Sequence, residues 1–303
     1  MDKSADRSVG KAGNRNGLFS ILWPYRLMVS VLVILALGGS SINLIIPGII
    51  SRGIDAFTAG NFNAMRIIAE FAAAAAGIFI FTFLQGVLQT VTAERVAREL
   101  REKIAGKLSN QTWSFILDSN PSKLLTIITS DIDSHKMFVS QAFVNIVSSL
   151  FVIAGAAILL LLINWKLALM VLLIVPLIAG SFYIVFRKVR VIFRKSREVI
   201  DALNRIINES ILGAALIRVL NSQQQESLKF LEKNMESRDL GLSIVKLFSV
   251  LIPVIMFVSN MAAVVILAMG GHYVVAGTLS LGNFAAFNSY LMMLIYPVMM
   301  IGF

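Results

Sequence analysis

Cysteine is absent from this 303-residue sequence. Disulfides, thiolate nucleophiles and cysteine-held metals are therefore excluded. Charge is scarce: Asp, Glu, Lys and Arg make up 15% of residues, against roughly 25% in soluble domains. A phosphate-cradling loop is missing as well. Gly106-Lys107 is followed by Leu108, and Arg101 stands where such a loop needs its first glycine. Paired carboxylates are also lacking. Asp131 and Asp133, two residues apart, point to different faces of a helix and do not suit hydrolytic acid–base work.

What remains is apolar. Hydrophobic residues make up 57% of the chain and the mean hydropathy is +0.80. That composition belongs to a polytopic membrane protein. Six stretches are long enough to span, near 27–50, 67–91, 138–163, 167–187, 247–270 and 281–303. The net charge of +10 would suggest nucleic acid as a partner in a soluble protein. Here the basic residues cluster in polar segments, and nucleic acid is not expected. The N-terminal arm, segment 92–137 and segment 187–246 hold 24 of the 27 Lys and Arg residues. Only Arg52, Arg66 and Lys166 fall in the remaining loops. By the positive-inside rule, the N-terminus and both long segments are cytoplasmic, in a multi-pass protein of the cell membrane. Loops 51–66, 163–166 and 271–280 face outside, which puts His135 and His272 on opposite sides, unable to share a metal. Residues 1–17 are polar and expected to be disordered. Leu18 to Arg26 reads equally as an interfacial helix or as the interfacial start of the first span.

The longest polar run, Arg187–Lys246, lies between two spans. Its apolar residues recur at helical spacing: Val199, Leu203, Ile206 and Ile207, then Leu212, Leu216, Ile217 and Leu220. Gly213 marks an interruption near its centre. At 1.5 Å per residue, each arm of such a hairpin reaches roughly 40 Å. Segment 92–137 has the same plan. Val96, Leu100, Ile104 and Leu108 form one stripe, Asp118-Ser119-Asn120-Pro121 a turn, and Leu124, Leu125, Ile128, Ile132 and Phe138 a returning stripe. The expected fold is thus all-α, with six transmembrane helices and two long cytoplasmic helical hairpins. Packing within each hairpin accounts for the stripes but not for the polar breaks at the tips.

Within the spans, Gln85 and Gln89 share a helix face, and Asn288 is a further isolated amide; all three are candidates to line a cavity. The plainer reading is interhelical hydrogen bonding. Leu37-Gly38-Gly39-Ser40-Ser41 reads as a close-packing site between helices. Pro47, Pro176, Pro253 and Pro297 permit kinks in four spans.

Four local patterns carry a resemblance. Leu22-Trp23-Pro24-Tyr25-Arg26 precedes the first span. Ser130-Asp131-Ile132-Asp133 with Phe138 leads into the third. Glu209-x-x-x-Gly213-x-x-x-Ile217-Arg218-Val219-Leu220 is followed by Glu226, Phe230 and Asn234. Gly271, Val274 to Gly277, Leu281-Gly282, Phe287, Tyr290 and Pro297 mark the sixth span. Together, over residues 18–303, they resemble the transmembrane domain of ABC exporters of the six-helix half-transporter type. The first long loop departs from the family pattern, with Ser122 and Ile127 where the family often has Gly and Arg.

The resemblance implies that Asn120, Pro121, Ser122 and Lys123 form one coupling helix. Glu209, Ser210, Ile211, Leu212, Gly213, Ala214 and Ala215 would form the other. Both would dock on ATP-binding domains, in cis and in trans. The family continues into such a domain, whereas these residues end at Phe303 inside the sixth span, so a fragment is implied. ATP and Mg would belong to the missing domain, and no cofactor or enzymatic activity is expected of these residues alone. Export would need a second half, identical or different, in the bilayer. The alternative is a membrane scaffold or receptor whose hairpins bind partners without transport. An ion-coupled transporter would call for a charge pair at mid-membrane, which the spans lack.

Overall fold

The computed structural model describes residues 23–112, 114–115 and 121–302. Every regular element among them is helical. The long helices are α1 (Arg26–Thr58), α2 (Ala64–Ser109), α3 (Leu124–Ile163), α4 (Trp165–Leu212), α6 (Gln223–Val275) and α7 (Leu281–Gly302), with the short α5 (Ala214–Val219) between α4 and α6. A turn of helix, Pro121–Thr126, opens α3, and a 3-10 turn, Trp23–Tyr25, leads into α1. The six long helices are long and apolar enough to cross a membrane, as read from the sequence. They run further than the apolar stretches. Because α1 continues to Thr58 and α2 starts at Ala64, the expected loop 51–66 shrinks to residues 59–63. Likewise α6 runs to Val275, leaving residues 276–280 of the expected loop 271–280.

Local chemistry sets the helix ends. Asn63 caps α2 by accepting from Arg66 N at 3.2 Å, and Asn164 caps α4 by accepting from Leu167 N at 3.1 Å; such caps satisfy donors that the first turn leaves unpaired. Pro176 cannot donate to the Leu172 carbonyl, and α4 is interrupted one turn before it, at Leu173. Gly277 takes the left-handed φ of +71° that closes α6. There Thr278 N donates to Tyr273 O at 2.9 Å and Gly277 N donates to Val274 O at 3.0 Å, the two bonds of a Schellman cap. Two π-turns in α3, Ile127–Asp131 and Phe138–Ala142, have no counterpart in the hydropathy pattern.

The chain divides into two compact units. The first holds most of α1, α2 and most of α3. Tyr25, Val29, Val96 and Val139 form a buried cluster, with Leu100 packed beside it, so the Val96–Leu100 stripe is used within its own hairpin. Lys136 Nζ meets Glu94 Oε1 at 2.6 Å and Arg101 meets Asp133 at 3.3 Å along the same α2–α3 pair. Small residues let helices touch, as expected. The Phe81 ring lies on Gly38, and a Cβ at Gly77 would sit 2.8 Å from Ile42. Ser40 and Ser148 share a hydroxyl hydrogen bond of 2.8 Å. By contrast, α2 buries Ala74 and then nothing before Thr92, and Phe79, Ile80, Phe83 and Leu84 are exposed.

In the second unit, α4 and α6 form a long helical pair. Phe186 meets Phe248 edge-on at 6.0 Å, and Lys195 meets Glu236 at 3.2 Å further out. The α7 residues Phe287, Leu291 and Leu294 are fully buried.

Candidate docking tip and clefts

Glu209, Ser210, Ile211 and Leu212 form the last turn of α4, and Ala214 and Ala215 begin α5. Between them Gly213 has φ −88° and ψ 6°, angles open to any residue. Its need for glycine is steric: an added Cβ would lie 2.9 Å from the Glu209 carbonyl oxygen, which the Gly213 N–H already contacts at 2.8 Å. The short α5 ends with Asn221 at φ 51°, where Ser222 N donates to Ile217 O at 3.0 Å and Asn221 N to Arg218 O at 3.3 Å. Two consecutive breaks therefore set a two-turn helix across the end of the hairpin. That tip is apolar. Leu212 and Val219 are 80% and 81% exposed, with Ile211, Leu216 and Leu220 also exposed. A tip adapted only to water would place polar residues there.

At the other tip, Asn120 lies outside the described residues. Pro121, Ser122 and Lys123 open the helix Pro121–Thr126, and their side chains lie outside the description. Residues 1–17 are likewise outside it. Gln85 and Gln89 are half-buried, one turn apart on α2. Asn288 belongs to the second unit, where it forms part of the polar wall of a cavity of about 630 Å³ with Ile266, Leu281, Phe284 and Ser289.

Ion pairs shift titration in the polar parts of both units: in the second, Lys233 and then Lys195 hold Glu236 below the usual carboxylate value. Burial, followed by a hydrogen bond to Glu99, pushes the Tyr25 hydroxyl up to about 12. The same bond holds Glu99 below the usual carboxylate value, and Lys136 does the same for Glu94.

Two features were not singled out in the sequence. One is a latch around Asp55. Its Oδ2 accepts from Ser280 Oγ at 2.7 Å and its Oδ1 from Gly282 N at 2.8 Å. Ser51 Oγ adds a bond to Asn283 Oδ1 at 3.1 Å. The carboxylate thus sits at the N-terminus of α7, where unpaired amides and the helix dipole favour an anion. The signal in the sequence was faint: one acidic residue beside a span, with its partners more than 200 residues away. The other is a cleft of about 780 Å³ between α4 and α6, with Arg187, Lys188 and Lys246 in its lining.

The Gly106-Lys107 pair does not form a phosphate-cradling loop. Gly106 and Lys107 lie within α2, where helical hydrogen bonding occupies the backbone groups that would cradle phosphate.

A model of the ABC transporter transmembrane region matches residues 29–298. The ATP-dependent lipid A-core flippase of Syntrophus aciditrophicus (strain SB) is 23% identical over 72% of this chain and 36% of its own length. The multidrug resistance-like ATP-binding protein MdlA of Escherichia coli (strain K12) is 24% identical over 89% of this chain and 46% of its own. The probable multidrug resistance ABC transporter ATP-binding/permease protein YheI of Bacillus subtilis (strain 168) is 23% identical over 92% and 48%. The chain spans about half the length, or less, of the relatives it matches. With six spanning-length helices and two helical hairpins matched along nearly all of its length, this chain belongs to the ABC transporter transmembrane region family.

Proposed function

We propose that this chain is the membrane half of an ATP-driven exporter and that the α4–α5–α6 tip couples it to an ATP-binding domain. The observation that carries this reading is the tip itself: a two-turn helix, set off by Gly213 and Asn221, presenting Leu212, Leu216, Val219 and Leu220 to solvent at the far end of a polar hairpin. A short helix of that kind seats in a groove of a partner domain. The chemistry of ATP and Mg2+ belongs to that domain. What these residues contribute is a lever: α4 and α6, paired along their length, connect the tip to the spans. The uncovered face of α2 suits lipid or a second half, which would complete the pathway. Family membership favours transport over a scaffold or receptor role. Cytoplasmic placement of the N-terminus and both hairpins rests on the distribution of Lys and Arg.

The test is mutational, in the full-length protein. Gly213→Val should leave expression and insertion near normal, since the tip is exposed. It should lower transport about tenfold or more and blunt stimulation of ATPase activity by substrate. Glu209→Ala, which leaves the backbone geometry alone, should act in the same direction more weakly. Wild-type transport and stimulation in both variants would remove the coupling role.

A further inference from the structure

The cleft between α4 and α6 combines two properties that rarely share a surface. Tyr183, Ile184 and Val250 are apolar walls, each more than half exposed at 69%, 58% and 62%. Arg187, Lys188 and Lys246 stand beside them. No acidic residue lines the cleft, and none of the three cations has an ion-pair partner among the described residues. The neighbouring cleft, which shares Ser243 with this one, is lined instead by Glu232, Glu236 and Asp239 beside Lys195. This cleft, unlike its neighbour, has cations and no carboxylate in its lining, and it lies where the apolar stretches of α4 and α6 give way to their polar arms.

We propose that this cleft binds an anionic phospholipid of the leaflet from which the polar hairpin emerges. The phosphate would rest against Arg187, Lys188 and Lys246, and the first part of an acyl chain against Tyr183, Ile184 and Val250. The charge arrangement fits a headgroup, and the apolar walls fit the chain attached to it. A soluble anion would leave those walls in water. A zwitterionic headgroup would bring its own cation to a site without a carboxylate. The inference depends on the chain spanning a membrane and not on the coupling role of the tip.

Native mass spectrometry of the full-length protein, titrated with phosphatidylglycerol or phosphatidylcholine, tests it. Phosphatidylglycerol should bind saturably, about one per chain, and each cation changed to alanine should weaken it about fivefold. The control variant R205A/R218A/K229A removes three charges from the same polar segment and should leave the affinity unchanged, which separates a site from general attraction. All six changes are at the surface, and equal thermal midpoints would verify folding. Four results would overturn the proposal: equal binding of the two lipids, equal loss in the control variant, competition by glycerol phosphate at the same concentration as the lipid, or disulfide cross-linking between two copies carrying Val191→Cys and Val250→Cys. The third would mean an anion site without a lipid, and the fourth a cleft covered by a second copy.

Discussion

At the scale of single residues, glycines that look alike in the sequence have opposite roles. A Cβ at Gly282 would run into the Ser51 carbonyl oxygen and the Asp55 carboxylate, whereas one at Gly48 would meet nothing within 4 Å. Backbone cannot step aside as a side-chain tip can. Gly282→Ala is therefore expected to cost about 1–3 kcal/mol, and Gly48→Ala to leave thermal stability unchanged or slightly raised. Thermal unfolding of the two variants checks this, and equal midpoints would contradict it. Thr92 supplies a second prediction. Its hydroxyl is fully buried without a hydrogen-bond partner among the described residues, so the group carries a desolvation penalty with no return. Thr92→Val preserves the shape and removes the penalty. The midpoint should hold or rise by about 1–3 °C, and a clear fall would mean that the hydroxyl has a partner.

At the scale of elements, two α2 carboxylates resist protonation: Glu94, paired with Lys136 of α3, and Glu99, bonded to Tyr25 ahead of α1. The folded values of Glu94 and Glu99 lie below the ordinary 4.5. A depressed value means that the stabilisation is present above the unfolded value and is lost as pH falls through the folded one. The hairpin should therefore hold from neutral pH down to about 4.5 and loosen below it. Glu94 is exposed and Glu99 half-buried, so solvent screening keeps the effect modest. Thermal midpoints measured from about pH 6 to about pH 3 should fall at the acid end, and Glu94→Gln should flatten part of that fall. A flat profile in the wild type would exclude these contacts as contributors. The lever pair α4–α6 has a largely different basis: its buried residues are mostly apolar, including Phe182, Val189 and Val199 on one helix and Leu251 and Ile255 on the other, with Ser259 the buried polar exception among the described residues. Its apolar core should be insensitive to pH across the same range, whereas Glu236, held below the ordinary carboxylate value by Lys233 and then Lys195, should lose its small contribution below about pH 4.5.

At the scale of the whole molecule, the open question is which way the hairpins face. The split of basic residues predicts that the α4–α6 tip is cytoplasmic. Because the chain has no cysteine, one introduced thiol reports without background. An impermeant thiol reagent added to intact cells should label Ala59→Cys, in the short turn between α1 and α2, and should leave Ser222→Cys unlabelled until the membrane is opened. Labelling of Ser222→Cys from outside would invert the orientation and move the proposed coupling tip away from any cytoplasmic ATP-binding domain.

Local pattern was sufficient for the six spans, the two helical hairpins, the break at Gly213 and the close helix packing at Gly38. Each depends on hydropathy, periodicity or backbone freedom within a few turns of chain, which are properties of neighbours in sequence. The direct geometry at Gly213 came with a reason the pattern did not contain, the close approach of the Glu209 carbonyl. Other features were decided by tertiary structure alone. Asp55 reads as an ordinary loop residue until α7 is packed against α1, and then it caps a helix beginning 226 residues later. Arg187, Lys188 and Lys246 read as the ordinary basic ends of two spans until α4 and α6 pair and place them in one cleft. The physical reason is common to both cases. The register in which two helices pack is set by side-chain fit along their whole contact, so groups far apart in sequence acquire shared chemistry only once that fit is made.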